Sequence, residues 1–330
     1  MMAFTEVLKA RARLADRVLR TPLRDAPAFG RRAGVPVRLK CEHQQTTGSF
    51  KLRGATNALL ALDEAQRRRG VVAASTGNHG RALAHAARQM SVPAVICMSR
   101  LVPGNKVEAI KALGAEVRIV GQSQDDAQRE VDRLVNDEGM VMVPPFDAAD
   151  VIAGQGTLGL ELMEQAPDTA CVLVPLSGGG LIAGVALAVK TLSPGTRVIG
   201  VSMERGPAMQ LSLAAGHPVD VEELPTLADS LGGGIGLTNR HSFEMVKALV
   251  DEVVLVSEAE IAAAIRAAYA EEGEVIEGAA AVGIAALEAG KVRPKGPTTV
   301  VLSGKNIDMR LHARIIAGET PDLAREAALA

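Results

Sequence analysis

The strongest constraint on the fold of this chain is a regular alternation of short apolar segments with longer helical ones. The apolar segments are predicted to be strands at residues 37–42, 70–75, 93–98, 115–120, 140–143, 171–175, 197–202, 252–256 and 298–303. Short apolar strands that alternate with helices are typical of parallel sheets covered by helices on both faces. The sequence therefore predicts an α/β protein.

The helical segments carry amphipathic or alanine-rich patterns. They are predicted at residues 4–19, 50–62, 78–90, 105–113, 123–137, 157–165, 181–192, 207–215, 241–249, 258–272 and 277–289. The alternation is interrupted at Pro144-Pro145-Phe146-Asp147, where prolines disfavour regular structure. Because 330 residues exceed the usual size of one domain, we interpret this interruption as the crossing between two lobes.

Composition argues against several classes of partner. The formal net charge is -2 and aromatic residues make up 2% of the chain, which provides neither a basic surface nor stacking platforms for nucleic acid. No run approaches the roughly 18 apolar residues of a membrane-spanning helix, and residues 1–20 lack a signal-peptide core. Cys41, Cys97 and Cys171 are isolated, so they are predicted to be buried, reduced residues rather than disulfides or zinc ligands. We expect a cytoplasmic protein that binds neither nucleic acid nor a membrane.

A lysine stands at a predicted junction of loop and helix, in Gly48-Ser49-Phe50-Lys51-Leu52-Arg53-Gly54-Ala55. Gly48 suits a tight turn and Ser49 suits an N-cap, which places Lys51 in the first turn of the helix. A primary amine forms Schiff bases with aldehydes, and partial burial lowers its pKa so that it also transfers protons. An isolated helix lysine is usually solvated, so the prediction of a reactive amine depends on the motifs that follow.

A glycine-rich loop, Ser177-Gly178-Gly179-Gly180-Leu181, connects a predicted strand to a predicted helix. Successive backbone N–H groups in such a loop bind an anion such as phosphate, and the helix N-terminus assists them. A tight turn without a ligand is the simpler alternative.

The segment from Gly178 to Ala183 also fits the G-x-G-x-x-G/A pattern, with Glu204 after the next strand as a ribose-binding acid. A nicotinamide (NAD)-dependent oxidoreductase is therefore an alternative, although it leaves Lys51 unexplained.

A second polar loop, Ser75-Thr76-Gly77-Asn78-His79-Gly80, lies between another predicted strand and its helix. Its N–H groups, hydroxyls and amide suit a carboxylate and a phenolic oxygen. A serine capping box is the structural alternative, but ligands of α/β proteins bind at the carboxyl ends of parallel strands, which favours binding. One phosphorylated aldehyde cofactor accounts for both loops, for Lys51 and for a further motif, Ser303-Gly304-Lys305-Asn306.

Five motifs, in this order along the chain, resemble those of the pyridoxal-phosphate (PLP) enzymes of fold type II, the family of tryptophan synthase β. They lie at residues 47–55, 75–80, 153–157, 177–181 and 303–308. The likeness covers essentially the whole chain and is greatest to the serine/threonine dehydratases. Within that group the chain is similar to the dehydratase of hydroxyectoine utilisation, through residues 74–82, 98–101 and 228–236.

The resemblance implies a role for each matching residue. Lys51 would hold PLP as a Schiff base and, once substrate displaces it, take the Cα proton, while Phe50 would pack against the pyridine ring. Asn78 would hydrogen-bond the phenolic oxygen of the cofactor, and Ser303 would contact the pyridine nitrogen. The cofactor phosphate would be bound by backbone N–H groups of Gly178, Gly179, Gly180 and Leu181. The substrate carboxylate would be bound by Ser75, Thr76, Gly77, Asn78 and His79.

The resemblance also implies a reaction and an architecture. The reaction is α,β-elimination of water from a β-hydroxy amino acid, which gives a 2-oxo acid and ammonia. Ser303 favours prompt elimination, because a serine hydroxyl does not enforce a protonated pyridine ring. Residues 48–146 would form a small mobile substrate-side domain, and residues 1–47 with 147–330 a large cofactor-binding domain. A homodimer is expected from the family.

Three residues depart from the family pattern. Lys305 replaces a glycine and brings a cation near the site, where it is expected to pair with an acidic substrate group or with Glu277. Thr76 replaces the serine that acts as the second base in related racemases. Ser202 replaces an acid in the divalent-cation site of some relatives, so we predict no metal site. An amino-acid racemase, another PLP-dependent β-elimination or β-replacement enzyme, and a non-catalytic binding protein remain as alternatives.

Overall fold

A computed structural model describes residues 2–100, 102 and 104–328 of the chain. The helices are α1 (Phe4–Leu14), α2 (Pro27–Ala33), α3 (Lys51–Ala61), α4 (Glu64–Arg69), α5 (Asn78–Gln89), α6 (Gly104–Lys111), α7 (Gln124–Glu138), α8 (Ala149–Gln165), α9 (Gly180–Leu192), α10 (Ala208–Ala215), α11 (Ser242–Leu249), α12 (Glu258–Glu272), α13 (Gly278–Glu288), α14 (Met309–Ile316) and α15 (Leu323–Ala328). The strands are β1 (Leu23–Asp25), β2 (Val37–Lys40), β3 (Val71–Ala74), β4 (Ala94–Met98), β5 (Glu116–Ile119), β6 (Val141–Met142), β7 (Cys171–Pro175), β8 (Arg197–Met203), β9 (Glu252–Val256) and β10 (Thr298–Val301). Leu101, which belongs to one of the hydroxyectoine-type motifs, lies outside the described residues.

These strands form two separate sheets. The larger sheet has the order β1-β2-β10-β7-β8-β9, and the smaller sheet has the order β5-β4-β3-β6. Neighbouring strands are parallel, apart from β1, which pairs antiparallel with β2 at one edge. The predicted α/β class is confirmed, whereas the domain boundaries at residues 48 and 146 stay a prediction.

Helices cover both faces of each sheet, which explains the continuous apolar strands. In β7, Val172 and Val174 belong to one hydrophobic cluster, and Leu173 between them belongs to another. In β3, Val71 and Val72 likewise belong to different clusters. Because successive side chains of a strand point to opposite faces, burial of both faces requires apolar residues at every position.

Helix α8 corrects the prediction that a helix begins at residue 157, because it begins at Ala149 and includes the whole motif at 153–157. The glycines of this motif allow helices to pack closely. A Cβ added at Gly154 would lie 2.6 Å from the backbone oxygen of Arg53 in α3. A Cβ added at Gly184 in α9 would lie 2.4 Å from the backbone oxygen of Ile152 in α8. The small residues therefore bring α3, α8 and α9 into contact.

Several short elements are missing from the sequence-based prediction. They are β1, α2, α4, α14 and α15, and α1 ends at Leu14 rather than at residue 19. Such segments are too short for a clear hydrophobic period. Local signals do mark two of them, because α2 carries Pro27 in its first turn and α4 begins with a capping box formed by Asp63 and Gln66.

A buried cluster of charges joins α3 to the larger sheet. Arg53 is fully buried and donates two hydrogen bonds to the carboxylate of Glu42, each 2.8 Å long. It donates two more to Glu161 in α8, at 2.7 and 2.8 Å. Lys40 of β2 donates to Glu161 at 2.8 Å. Two cations thus face two carboxylates, and the cluster fixes the first turns of α3, where Lys51 lies.

The three cysteines are buried free thiols, as predicted. Burial raises the pKa of Cys97 and of Cys171 to about 11, so both stay protonated at neutral pH. Within the described part of the chain, none of the helices combines the length and apolarity that crossing a bilayer requires.

Candidate active site

The carboxyl ends of strands from both sheets meet around one cavity of about 250 Å³. Its lining includes every residue predicted for the site, namely Phe50, Lys51, Ser75, Thr76, Gly77, Asn78, His79, Gly178, Gly179, Gly180, Leu181 and Ser303. These residues come from segments that are far apart in the sequence, and the fold places them together.

Lys51 is the first residue of α3, and its partly buried side chain lines the cavity. The Nζ atom donates to the backbone oxygen of Pro145 at 2.7 Å and lies 5.3 Å from the ring centre of Phe50. Burial lowers the pKa of Lys51 to about 8, although the charge of Glu277 opposes this shift. A substantial fraction of the amine is therefore neutral near physiological pH, as a nucleophile or a base requires.

The loop before α3 is held by the C-terminal motif rather than by a serine cap. The predicted N-cap at Ser49 is wrong, because Phe50 occupies the cap position. Ser49 is buried, and its Oγ has no hydrogen-bond partner among the described residues. The N–H of Phe50 donates to the backbone oxygen of Ser303 at 3.0 Å, and Ser49 forms a bridge with Gly304. This backbone pairing places Ser303 beside Lys51.

The glycine loop precedes α9 and forms a cradle that side chains would fill. A Cβ added at Gly178 would lie 2.4 Å from the ring of Phe146, and one at Gly180 would lie 2.6 Å from the backbone oxygen of Phe146. Gly179 adopts a φ of 88°, which disfavours residues with a side chain. The first N–H groups of a helix lack intrahelical partners, so this cradle suits an anion such as phosphate.

The loop at residues 75–80 runs from the end of β3 into α5. The Oγ of Ser75 accepts from the backbone N–H of Gly80 at 3.1 Å, but the serine capping box considered above is not formed, because Gly77 occupies the N-cap position of α5. His79 Nε2 lies 2.8 Å from the backbone oxygen of Val143. Burial, with the charge of Lys51, lowers the pKa of His79 to about 3. The imidazole is therefore neutral, and any anion bound here is held by N–H groups of the helix terminus rather than by a histidine cation.

Two residues of the cavity region, Glu277 and Asn306, are missing from the predicted site. Glu277 is buried and accepts from the side chain of Asn78 at 2.8 Å and from the backbone N–H of Asn306 at 3.0 Å. Burial, reinforced by the charge of Asp229, raises the pKa of Glu277 to about 7. The Nδ2 of Asn306 also donates to Asn78 Oδ1, at 2.5 Å. The sequence feature that could have identified Asn306 as a site residue is its position inside the motif at residues 303–308.

The expected pairing of Lys305 with Glu277 is not formed. Lys305 is exposed, and Glu277 instead accepts hydrogen bonds from the amide groups of Asn78 and Asn306 and from the hydroxyl of Ser230. Only the backbone N–H of Lys305 takes part in the site architecture, donating to Gly48 at 2.9 Å. The exposed Lys305 therefore does not neutralise the acid that the sequence suggested.

Other cavity residues come from segments to which the sequence assigned a different role. Pro145 and Phe146 line the cavity, although the sequence marked them only as a lobe crossing. Asp147 beside them accepts from the backbone N–H groups of His241 and Ser242 and so caps α11. Gln124 also lines the cavity. The sequence did not indicate this role, because Gln124 lies in a polar segment without a binding motif. Glu204, the acid of the dinucleotide alternative, is absent from the lining and contacts Lys291 at 3.3 Å.

Comparison with known proteins gives a consistent result over the full chain. A family model described as pyridoxal-phosphate dependent enzyme matches residues 14–304. The chain is 59% identical over 318 residues to a putative threonine dehydratase of Sinorhizobium fredii, with 96% of both chains covered. It is 43% identical to an L-threonine ammonia-lyase of Thermotoga maritima, with 96% of this chain and 78% of the relative covered. The structure of maize serine racemase matches with a TM-score of 0.90 at 32% identity, covering 96% of this chain and 97% of that one.

Proposed function

The chain belongs to the pyridoxal-phosphate-dependent enzymes of fold type II, and on that premise we propose that it is an ammonia-lyase acting on a β-hydroxy amino acid. It removes the proton from Cα and the hydroxyl from Cβ as water, and the enamine that results is hydrolysed by water to a 2-oxo acid and ammonia. Membership of the family confirms the predicted cofactor and removes the nicotinamide alternative. Support for the reaction comes from relatives named threonine dehydratase and L-threonine ammonia-lyase.

The residues present fit PLP. Gly178 and Gly180 carry no side chains, and a Cβ at either position would clash with Phe146. The backbone N–H groups of this loop therefore remain accessible, and they suit the phosphate. The amine of Lys51, the amide of Asn78 and the hydroxyl of Ser303 all line the cavity. The amine would hold the aldehyde, the amide would hydrogen-bond the phenolic oxygen, and the hydroxyl would contact the pyridine nitrogen. When bound, PLP supplies an aldehyde that captures the substrate amine and a ring that takes up the electrons left at Cα.

The chain itself positions the substrate and moves its protons. We propose that the helix terminus formed by Ser75, Thr76, Gly77, Asn78 and His79 binds the substrate carboxylate through N–H groups. Lys51 accepts the Cα proton at Nζ, because its lowered pKa keeps part of the amine neutral. The hydroxyl of Ser303 would form one hydrogen bond with the pyridine nitrogen without adding a charge. It does not enforce a protonated ring, which favours prompt loss of the hydroxyl from Cβ over a long-lived carbanion. The observation that carries this proposal is the shared cavity of the Lys51 amine and the glycine cradle.

Uptake of PLP by the cofactor-free protein is expected to accelerate as pH rises to about 8. Burial lowers the pKa of Lys51 to that value, and only the neutral amine attacks an aldehyde. Below the pKa the neutral fraction grows about tenfold per pH unit, and above it the rate levels off. Stopped-flow absorbance across this range measures the midpoint. A midpoint near 10.5, the ordinary value for lysine, would contradict the burial of the amine.

The substrate is tested by adding serine, threonine, 3-hydroxyaspartate and an amino acid derived from hydroxyectoine to the purified holoprotein. We expect 2-oxo acid and ammonia in equal amounts from at least one of them. Protein treated with borohydride, which reduces the Schiff base, is the control and should be inactive. Formation of the opposite enantiomer without 2-oxo acid would contradict the proposal and favour a racemase, for which Thr76 would be the second base.

Three finer features are proposed on the resemblance alone. They are a role in hydroxyectoine utilisation, assembly as a homodimer and a cytoplasmic location. We also propose that residues 48–146 form the small domain and that residues 1–47 with 147–330 form the large one.

A further inference from the structure

We propose that Asn306 and Glu277 are positioning residues that fix the side-chain amide of Asn78 in one orientation, with its free N–H available to the phenolic oxygen of the cofactor. The inference rests on the proposed function, since the role of Asn78 toward PLP is part of it. It assigns roles to a residue of the C-terminal motif and to a buried acid that the reaction itself does not use.

The two sides of the Asn78 amide face partners of opposite character. Its Oδ1 accepts from Nδ2 of Asn306 at 2.5 Å, and its Nδ2 donates to Oε1 of Glu277 at 2.8 Å. A flipped amide would set its NH₂ donor against the Nδ2 donor of Asn306 and, where Glu277 is ionised, its oxygen against a carboxylate. The bond to Asn306 would then be lost in every protonation state of Glu277, and the bond to Glu277 in its ionised state. The orientation is therefore determined by these two neighbours.

One hydrogen of the Asn78 amide remains for a ligand. An amide NH₂ has two hydrogens, and Glu277 takes one of them. The other described neighbour of Nδ2 is Ser230 Oγ at 3.5 Å, a length at which little hydrogen bonding remains. Because Asn78 lines the cavity, a cofactor oxygen there meets a donor whose direction is already set.

Asn306 is held in turn by three other segments. Its Nδ2 donates to the backbone oxygen of Thr47 at 3.0 Å, and its Oδ1 accepts from Arg81 in α5 at 3.2 Å. Its backbone N–H donates to Glu277 at 3.0 Å. A Cβ at Gly48 would lie 2.7 Å from Asn306 Oδ1, so the glycine is needed for this approach. Asn306 thus ties the loop before Lys51 to the start of α5.

The test compares holoprotein variants Asn306→Ala and Asn306→Asp with Asn57→Ala. Asn57 is the control, because it is a hydrogen-bonded asparagine that lies outside the cavity lining. It is fully buried in α3, and its side-chain amide contacts Asp150 and Arg13. The Asp variant keeps the shape of Asn306 but replaces the donor to Asn78 by an oxygen. It therefore tests orientation even if the Ala variant fails to fold.

The main readout is the visible absorption band of bound PLP as a function of pH. A hydrogen bond to the phenolic oxygen stabilises its ionised form, so a disordered Asn78 raises the pKa of the band by about one unit, the value of one hydrogen bond. We expect this shift in both Asn306 variants, with kcat reduced about tenfold and KM changed much less. Asn57→Ala should lower the melting temperature without moving the band.

Two results would overturn the inference. If both Asn306 variants keep the band and kcat of the wild type, or if Asn57→Ala shifts the band equally, Asn306 does not position Asn78. If the wild-type protein binds no PLP, the proposed function fails and this assignment fails with it. A wild type that binds PLP and releases 2-oxo acid separates the two failures.

Discussion

Replacing Lys51 with alanine is expected to abolish attachment of PLP and to lower kcat by at least about 10³-fold. One amine both holds the cofactor and moves the Cα proton, and a positioned base alone contributes about 10²- to 10⁴-fold. The holoprotein is treated with borohydride, digested and mapped by mass spectrometry. We expect the reduced cofactor on the peptide that contains Lys51 in the wild type, and no labelled peptide in Lys51→Ala.

Stability separates this effect from unfolding. Burial lowers the pKa of Lys51 from 10.5 to about 8, so below pH 8 the protonated amine is less stable in the folded protein than in the unfolded chain. The cofactor-free Lys51→Ala variant is therefore expected to melt no lower than the cofactor-free wild type. Lys111→Ala is the matched control, because Lys111 is exposed and paired only with Glu108 in the described structure. Retention of the label or of activity in Lys51→Ala would refute the assignment.

Replacing Arg53 with methionine is expected to destabilise the fold by about 3–5 kcal/mol, the range measured when one partner of a buried ion pair is removed. Arg53 donates four hydrogen bonds to Glu42 and Glu161, and the side chains of Arg53 and Glu42 are fully buried. Without the guanidinium, Lys40 is the one remaining cation beside the two carboxylates among the described residues of this cluster. The melting temperature should fall by roughly 4–7 °C, as measured by calorimetry at constant pH, because the entropy of unfolding scales with the 330 residues of the chain.

The control for Arg53 is the same substitution at Arg68. Arg68 pairs with Glu64 at 2.6 Å in α4, but both side chains are largely exposed, at 71% and 84%. Exposed pairs of this spacing contribute only about 0.3–0.5 kcal/mol. Arg53→Lys should fall between the two, since an ammonium keeps the charge but not the paired N–H geometry. Equal melting temperatures for Arg53→Met and Arg68→Met would contradict the burial argument.

The strands and most of the helices were predictable because their signal is local. The alternation of apolar runs with helical patterns reflects a requirement that each segment meets by itself, and β3, β4, β7 and β8 lie where it places them. The start of α8 was not predictable in this way. Its glycines resemble a turn in sequence, and only the neighbouring backbones of α3 and α9 show that they serve helix packing.

The sequence by itself determined the α/β class, because the alternation of strand and helix patterns is local to each segment. It also determined the family, the cofactor and the cavity residues that belong to the family motifs, because each of those depends on a few consecutive residues. Only the tertiary structure decided which side chains meet across those motifs. It left Lys305 exposed, placed Phe50 rather than Ser49 at the N-cap position, and brought Glu277 and Asn306 into hydrogen-bonding contact with Asn78. Such contacts join segments that lie far apart in the chain, and their geometry depends on burial and on the paths of other elements, which a linear pattern does not record.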